Sequence, residues 1–185
     1  MKTTLLFYSI ALVLMMSACQ QPKESKQIAE EKNKEKFENK ADEKDAQFVV
    51  ETTNMLHTLI ALADVALEKN SPRAAATAHT VKPEFQNLLG EVESYATAHV
   101  ISIPTEASER STEQVRKLLD EKPSNFDTRW CKEIRDKNHD LIREMETYGT
   151  NTKDLNIKTW LNSALPQVRT VQDKLVDFEN KLSKK

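Results

Sequence analysis

SNFDTRWCKEIRDKNHDLIREMETYG, residues 124–149, decides the fold. Phe126, Trp130, Ile134, Leu141, Met145 and Tyr148 recur at spacings of three, four or seven, with Cys131, Asn138 and Ile142 flanking them. A helix turns once in about 3.6 residues, so this spacing draws one apolar stripe and predicts a helix buried along one side. Pro123 supplies a break, and Ser124 or Asn125 an N-cap whose oxygen accepts from a free backbone N–H. Asp127 falls in the first turn, where the helix dipole favours negative charge. Gly149 offers a left-handed C-cap. The other helices are expected to pack around this one.

The same period continues on both sides. A first long helix is expected from about Asp45 to Lys69, with Phe48, Thr52, Met55, Leu59, Leu62 and Ala66 as its stripe. Val49, Leu56, Ile60, Ala63 and Leu67 widen it. Ser71 then caps a second helix, with Pro72 at its first position, running to about His99. Its stripe is Ala74, Ala78, Val81, Phe85, Leu88, Val92, Tyr95 and His99, and Pro83 predicts a bend or break near Thr80. A connection through Ile103-Pro104 leads to a short helix, Ser111 to Glu121. Ser111 and Gln114 are spaced there as a capping box, and Val115, Leu118 and Leu119 face inward. After Thr150-Asn151-Thr152 a last helix runs to about Leu182, with Ile157, Leu161, Ala164, Val168, Val171, Leu175, Phe178 and Leu182 as its stripe and a kink expected at Pro166. The chain has only 2 glycines, and strand-like alternation is lacking. The expectation is an all-α domain over residues 46–185. It is an antiparallel four-helix bundle with a short extra helix between the second and third long ones.

Residues 1–19 read as a targeting segment. Lys2 is its basic start, and Leu5 to Met16 is an apolar run too short to span a bilayer. It ends in Met16-Ser17-Ala18-Cys19, which resembles the bacterial lipobox. That resemblance implies cleavage before Cys19 and a lipid on its thiol, which gives stable membrane attachment with several acyl chains. Leu is usual where Met16 stands. Gln20 is not the aspartate that retains lipoproteins at the inner membrane, so the implied destination is the outer membrane, facing the periplasm or the cell surface. Residues 20–45 interleave Lys and Glu with few apolar side chains, which predicts a flexible tether. Such a tether averages roughly 25–30 Å and reaches about 85 Å when extended.

From about Asp45 to Leu182 the chain resembles a bacterial ferritin-like family of unknown function, commonly labelled an outer membrane protein. The residues that carry this are Phe48-Val49, Tyr95-Ala96, Pro104, Phe126-Asp127, His139 and Leu165-Pro166, in that order and spacing. Members typically carry an Asp-His pair in the second helix, another in the third, and a histidine after the Leu-Pro of the fourth. Here those places hold Glu84-Phe85, Asn138-His139 and about Val171. One of the three histidines remains.

The residues themselves argue against a ferritin-like metal centre, which needs inward carboxylates from four helices and two Glu-x-x-His turns. Asp136 and His139 have the i, i+3 spacing and are the only weak metal candidates. Asn54, Ala76 and Ala96 stand three residues before His57, His79 and His99, and the stripes of the first and last helices hold no acid. His139 is expected to be a hydrogen-bonded bundle histidine at the edge of its stripe. Cys131, alone once Cys19 is lipidated, reads as a small core residue. Trp130 and Trp160 read as core. No catalytic triad or Gly-rich phosphate loop can be assembled. Net charge is −2, with both signs alternating, which excludes a nucleic-acid footprint. The expectation is a lipid-anchored envelope protein with a structural or protein-interaction role, possessing no cofactor, metal or enzymatic activity, and held to the membrane by its anchor. The alternatives are a degenerate ferritin-like metal or redox protein, and a small-molecule or lipid carrier with a cavity at helices kinked by Pro83 and Pro166.

Overall fold

The computed structural model describes residues 23–69 and 71–184. They form six helices: α1 (Ser25–Lys36), α2 (Lys40–Glu68), α3 (Pro72–Ala98), α4 (Glu109–Leu119), α5 (Pro123–Asn151) and α6 (Leu155–Ser183). No strand occurs among the described residues, as the spacing predicts. The expected targeting segment, residues 1–19 with the lipidation expected at Cys19, lies outside them.

Four long helices enclose the core. α2 packs on α3 and α5, and α6 packs on α3 and α5. α2 and α3 are joined by a short turn and run oppositely, as Lys82 reaching back to Asp64 shows. The chain then crosses over through residues 99–108 and α4, so that α5 starts beside the end of α2. Lys69 of that end lies over the Phe126 ring and donates to the Leu119 and Glu121 carbonyls, 2.8 and 3.1 Å away. α5 runs down α2, and α6 returns beside α3. Phe85, Leu59, Trp130, Ile134, Val171 and Leu175 fill the space between, each essentially removed from water. The Trp130 indole, which cannot be buried unpaired without cost, donates to the Leu62 carbonyl at 2.7 Å and ties α5 to α2.

The hub is α2 rather than α5. α5 buries one stripe, whereas α2 is buried around most of its circumference, because α1 and α4 cover it as well as α3 and α5. Asn54, off the expected stripe, accepts from the Ser108 backbone N–H at 2.8 Å and sets the start of α4 on α2.

The expected flexible tether is corrected over residues 25–36, which form α1. Lys, Glu and Ala favour helix, and Lys26 and Glu30 pair at i, i+4. Ala29 and Asn33 are buried, also four residues apart. The Asn33 amide clamps one residue of the crossover: its Nδ2 donates to the Ser102 carbonyl and its Oδ1 accepts from the Ser102 N–H, both at 2.7 Å. Ser25 accepts from the Thr105 N–H at 2.7 Å, and Lys36 donates to the Val100 carbonyl at 3.0 Å. Asn39 then caps α2, which begins five residues before the expected Asp45.

The remaining corrections are local. Gly149 is not a C-cap: α5 runs on to Asn151, and the glycine instead admits α6, since a Cβ there would stand 3.2 Å from Leu161 Cδ1. The N-cap of α5 is Lys122 with Pro123 at N1, not Ser124 or Asn125. Ser108, not Ser111, caps α4, accepting from the Ser111 N–H. Pro83 and Pro166 interrupt neither helix. Each is exposed, so the carbonyl it leaves free can meet water, while Val81, Phe85, Ala164 and Val168 beside them pack fully.

Candidate functional site

The two sequence candidates for metal, Asp136 and His139, sit on α5 but do not make a site. Asp136 accepts from Arg135 at 2.8 Å and from Lys132 at 3.2 Å. Partial burial would raise its pKa, but those two cations hold it below the ordinary carboxylate value. His139 is exposed, which corrects its expected place as a bundle histidine. The inward position beside it belongs to Asn138, fully buried, whose amide donates to the Val168 carbonyl at 3.2 Å and to Gln172 at 2.8 Å. Among the described residues no three His, Cys, Asp or Glu side chains group to hold a metal ion. The donors present therefore do not fit a ferritin-like di-metal centre. Cys131 is buried, with its thiol against the Leu175 carbonyl at 3.7 Å. Burial, with the Glu179 charge adding, pushes its pKa up to about 11, so it stays a protonated core thiol.

Polar groups instead converge where α2 and α6 begin and α3 and α5 end. Asp45, from the first turns of α2, accepts from the Tyr148 phenol and from Thr152 Oγ1 at 3.0 Å. Asp154 caps α6 by accepting from the Ile157 N–H at 2.7 Å and also faces the Tyr95 phenol. Burial foremost, then Asp154 and Asp45, drives the Tyr95 pKa well above the usual phenol value. Burial foremost, then the bond to Asp45, does the same for Tyr148. Aromatic rings floor the cluster: Phe48 stacks on Tyr148 with centroids 4.0 Å apart, and Tyr95 on His99 at the same separation. Trp160, half-buried, donates to Glu91 at 3.0 Å.

A cleft of about 320 Å³ opens onto this cluster, lined by Lys40, Lys44, Lys153, Asp45, Asp154 and Tyr148 among others. Its two acids are already hydrogen-bonded. Among the described residues its three lysines join no ion pair. Its phenols hold their protons tightly, and exposed lysines stand at its rim. The spacing marks Tyr95 and Tyr148 only as stripe residues, and nothing in it joins them to Asp45 and Asp154. Only Asp154, three residues before Ile157, has the legible spacing of a cap.

No curated protein and no solved structure matches the chain. A family model does, over residues 30–177. That span runs from within α1 to within the last third of α6, and by it the chain belongs to the family described as a domain of unknown function, DUF4142.

Proposed function

We propose that this DUF4142 chain is a lipid-anchored protein of the bacterial cell envelope, serving as a structural or protein-interaction module rather than an enzyme. Its leader ends in Met16-Ser17-Ala18-Cys19, and that lipobox-like sequence is the observation that carries the reading. The interior supports the second half of it. Where a ferritin-like enzyme needs inward acids from four helices, apolar side chains meet in contact. The helix order supports a ferritin-like four-helix bundle as the ancestral frame: two antiparallel pairs joined by one long crossover. No helix of the described residues is long and apolar enough to cross a membrane.

The test is Cys19→Ser in the full chain, expressed in a bacterium with radiolabelled palmitate. The wild type should incorporate label and sediment with envelopes, and the variant should lose the label. Equal labelling of both would overturn the anchor. Elemental analysis of the purified protein tests the rest: two iron or manganese ions per chain would replace the module by a metalloprotein.

A further inference from the structure

We propose that the end of the domain bearing the Lys40, Lys44 and Lys153 cleft is a docking face for an anionic lipid surface, on which the domain rests. This builds on the lipid anchor of the preceding reading.

Chain length is the first argument. With α1 docked, only residues 20–24 separate Cys19 from the first helical residue, Ser25. Six Cα steps span at most roughly 20 Å. Ser25 and Lys26 sit beside Thr105 and Glu51, and Glu51 lies eleven residues into α2, about 16 Å above its start. A lipid on Cys19 therefore reaches the level of this end, and does not lift the domain clear of the headgroups.

Exposed apolar side chains are the second. Val100 is 67% exposed and Leu155 75% exposed, and the residues beside them, His99 and Asn156, approach to 3.5 Å. Val100 holds φ at 57°, a left-handed conformation that β-branched residues rarely adopt. It closes α3, with the Ile101 N–H bonded back to the Ala96 carbonyl at 2.9 Å, where glycine is the usual occupant. A bulky apolar residue in that strained, exposed place fits a surface that is apolar at the headgroup boundary.

Charge is the third. Lys40 and Lys44 occupy the first turns of α2, where the helix dipole disfavours cations, and Lys153 precedes α6. The acids nearby are Asp42, Glu43, Asp45 and Asp154. The last two are half-buried and hydrogen-bonded within the cluster but keep their charge, whereas Lys40, Lys44 and Lys153 are all exposed, so ammonium groups outnumber the exposed carboxylate of Asp42 at the rim. Phosphate-bearing headgroups complement it. The flank along α1 is the competing face, but there Lys23 and Lys26 are paired with Glu31, Glu30 and Glu51, and exposed Lys32 and Lys34 alternate with exposed Glu31 and Glu35.

The test uses the full lipidated chain in vesicles of phosphatidylethanolamine and phosphatidylglycerol, carrying a nitroxide at Leu155→Cys or, at the opposite end, at Asn180→Cys. Buried Cys131 resists labelling. The label at 155 should be several-fold less accessible to a water-soluble nickel chelate, and more accessible to oxygen, than the label at 180. Adding K40E, K44E and K153E together should restore nickel access at 155 while the protein stays on the vesicles. A vesicle-bound protein with equal access at both sites, or protection unmoved by charge reversal, overturns the docking face and leaves the anchor standing. A protein that does not associate with vesicles at all overturns both.

Discussion

α6 and α1 are both helices packed against the domain, yet they are held by different chemistry. α6 offers one continuous apolar seam: every stripe residue from Ile157 to Phe178 is buried. α1 buries only Ala29 and Asn33, and it is fixed by an amide clamp on Ser102 and by Ser25 on Thr105. Apolar burial is non-directional and is shared with many neighbours, whereas a polar clamp needs one partner in one place. Removing a piece of the first should therefore weaken the whole domain, and removing the second should release one helix.

The largest expected effect tests the seam. Leu175→Ala should cost about 3 kcal/mol and lower Tm by roughly 10 °C in a single cooperative transition. A loss confined to α6 in hydrogen exchange would break the comparison. Next comes the clamp. Asn33→Ala should cost about 1–3 kcal/mol locally, read as faster amide exchange across Ser25–Lys36. The Tm of the remaining helices should move by no more than about 2 °C. An equal fall throughout would make α1 part of the core.

Two smaller effects sharpen the picture at the shared end. Val100→Gly should stabilise the domain by about 1 kcal/mol in urea unfolding, because glycine adopts the left-handed φ without strain. Tyr148→Phe should cost about 1 kcal/mol at neutral pH by removing the phenol from Asp45. The Tyr148 pKa is raised in the folded state, so its contribution is fully present below the unfolded phenol value near about 10 and is lost as pH rises above it. The gap between wild type and variant should thus narrow at about pH 11. A gap that widens there would contradict the sign.

The same contrast explains what the amino-acid sequence made legible. The four long helices and α4 were readable because burial on one side imposes the helical period on Leu, Val, Ile, Phe and Ala. α1 was not, since Lys and Glu dominate it and a single amide does the anchoring; nothing in Asn33 itself marks Ser102 as its partner. Helix ends are less legible, because caps and close approaches depend on neighbouring elements. Gly149 looked like a stop but serves as a point of close approach to Leu161, a role set by another helix. The outward direction of His139 depends on which face α6 covers, which the spacing on α5 alone does not carry. The aromatic and carboxylate cluster joins Asp45 to Tyr148 and Thr152 across more than a hundred residues, beyond the reach of any local pattern.

The receptor for α1 lies far along the chain: Asn33 meets Ser102 at a separation of 69 residues, and Ser25 meets Thr105 at 80. α1 therefore has no seat until the crossover has been made, a wait of several seconds at roughly 5–20 residues per second. A helix made ahead of α2 thus docks only once α3 is complete, and until then it stays open to whatever machinery handles the segment just ahead of it.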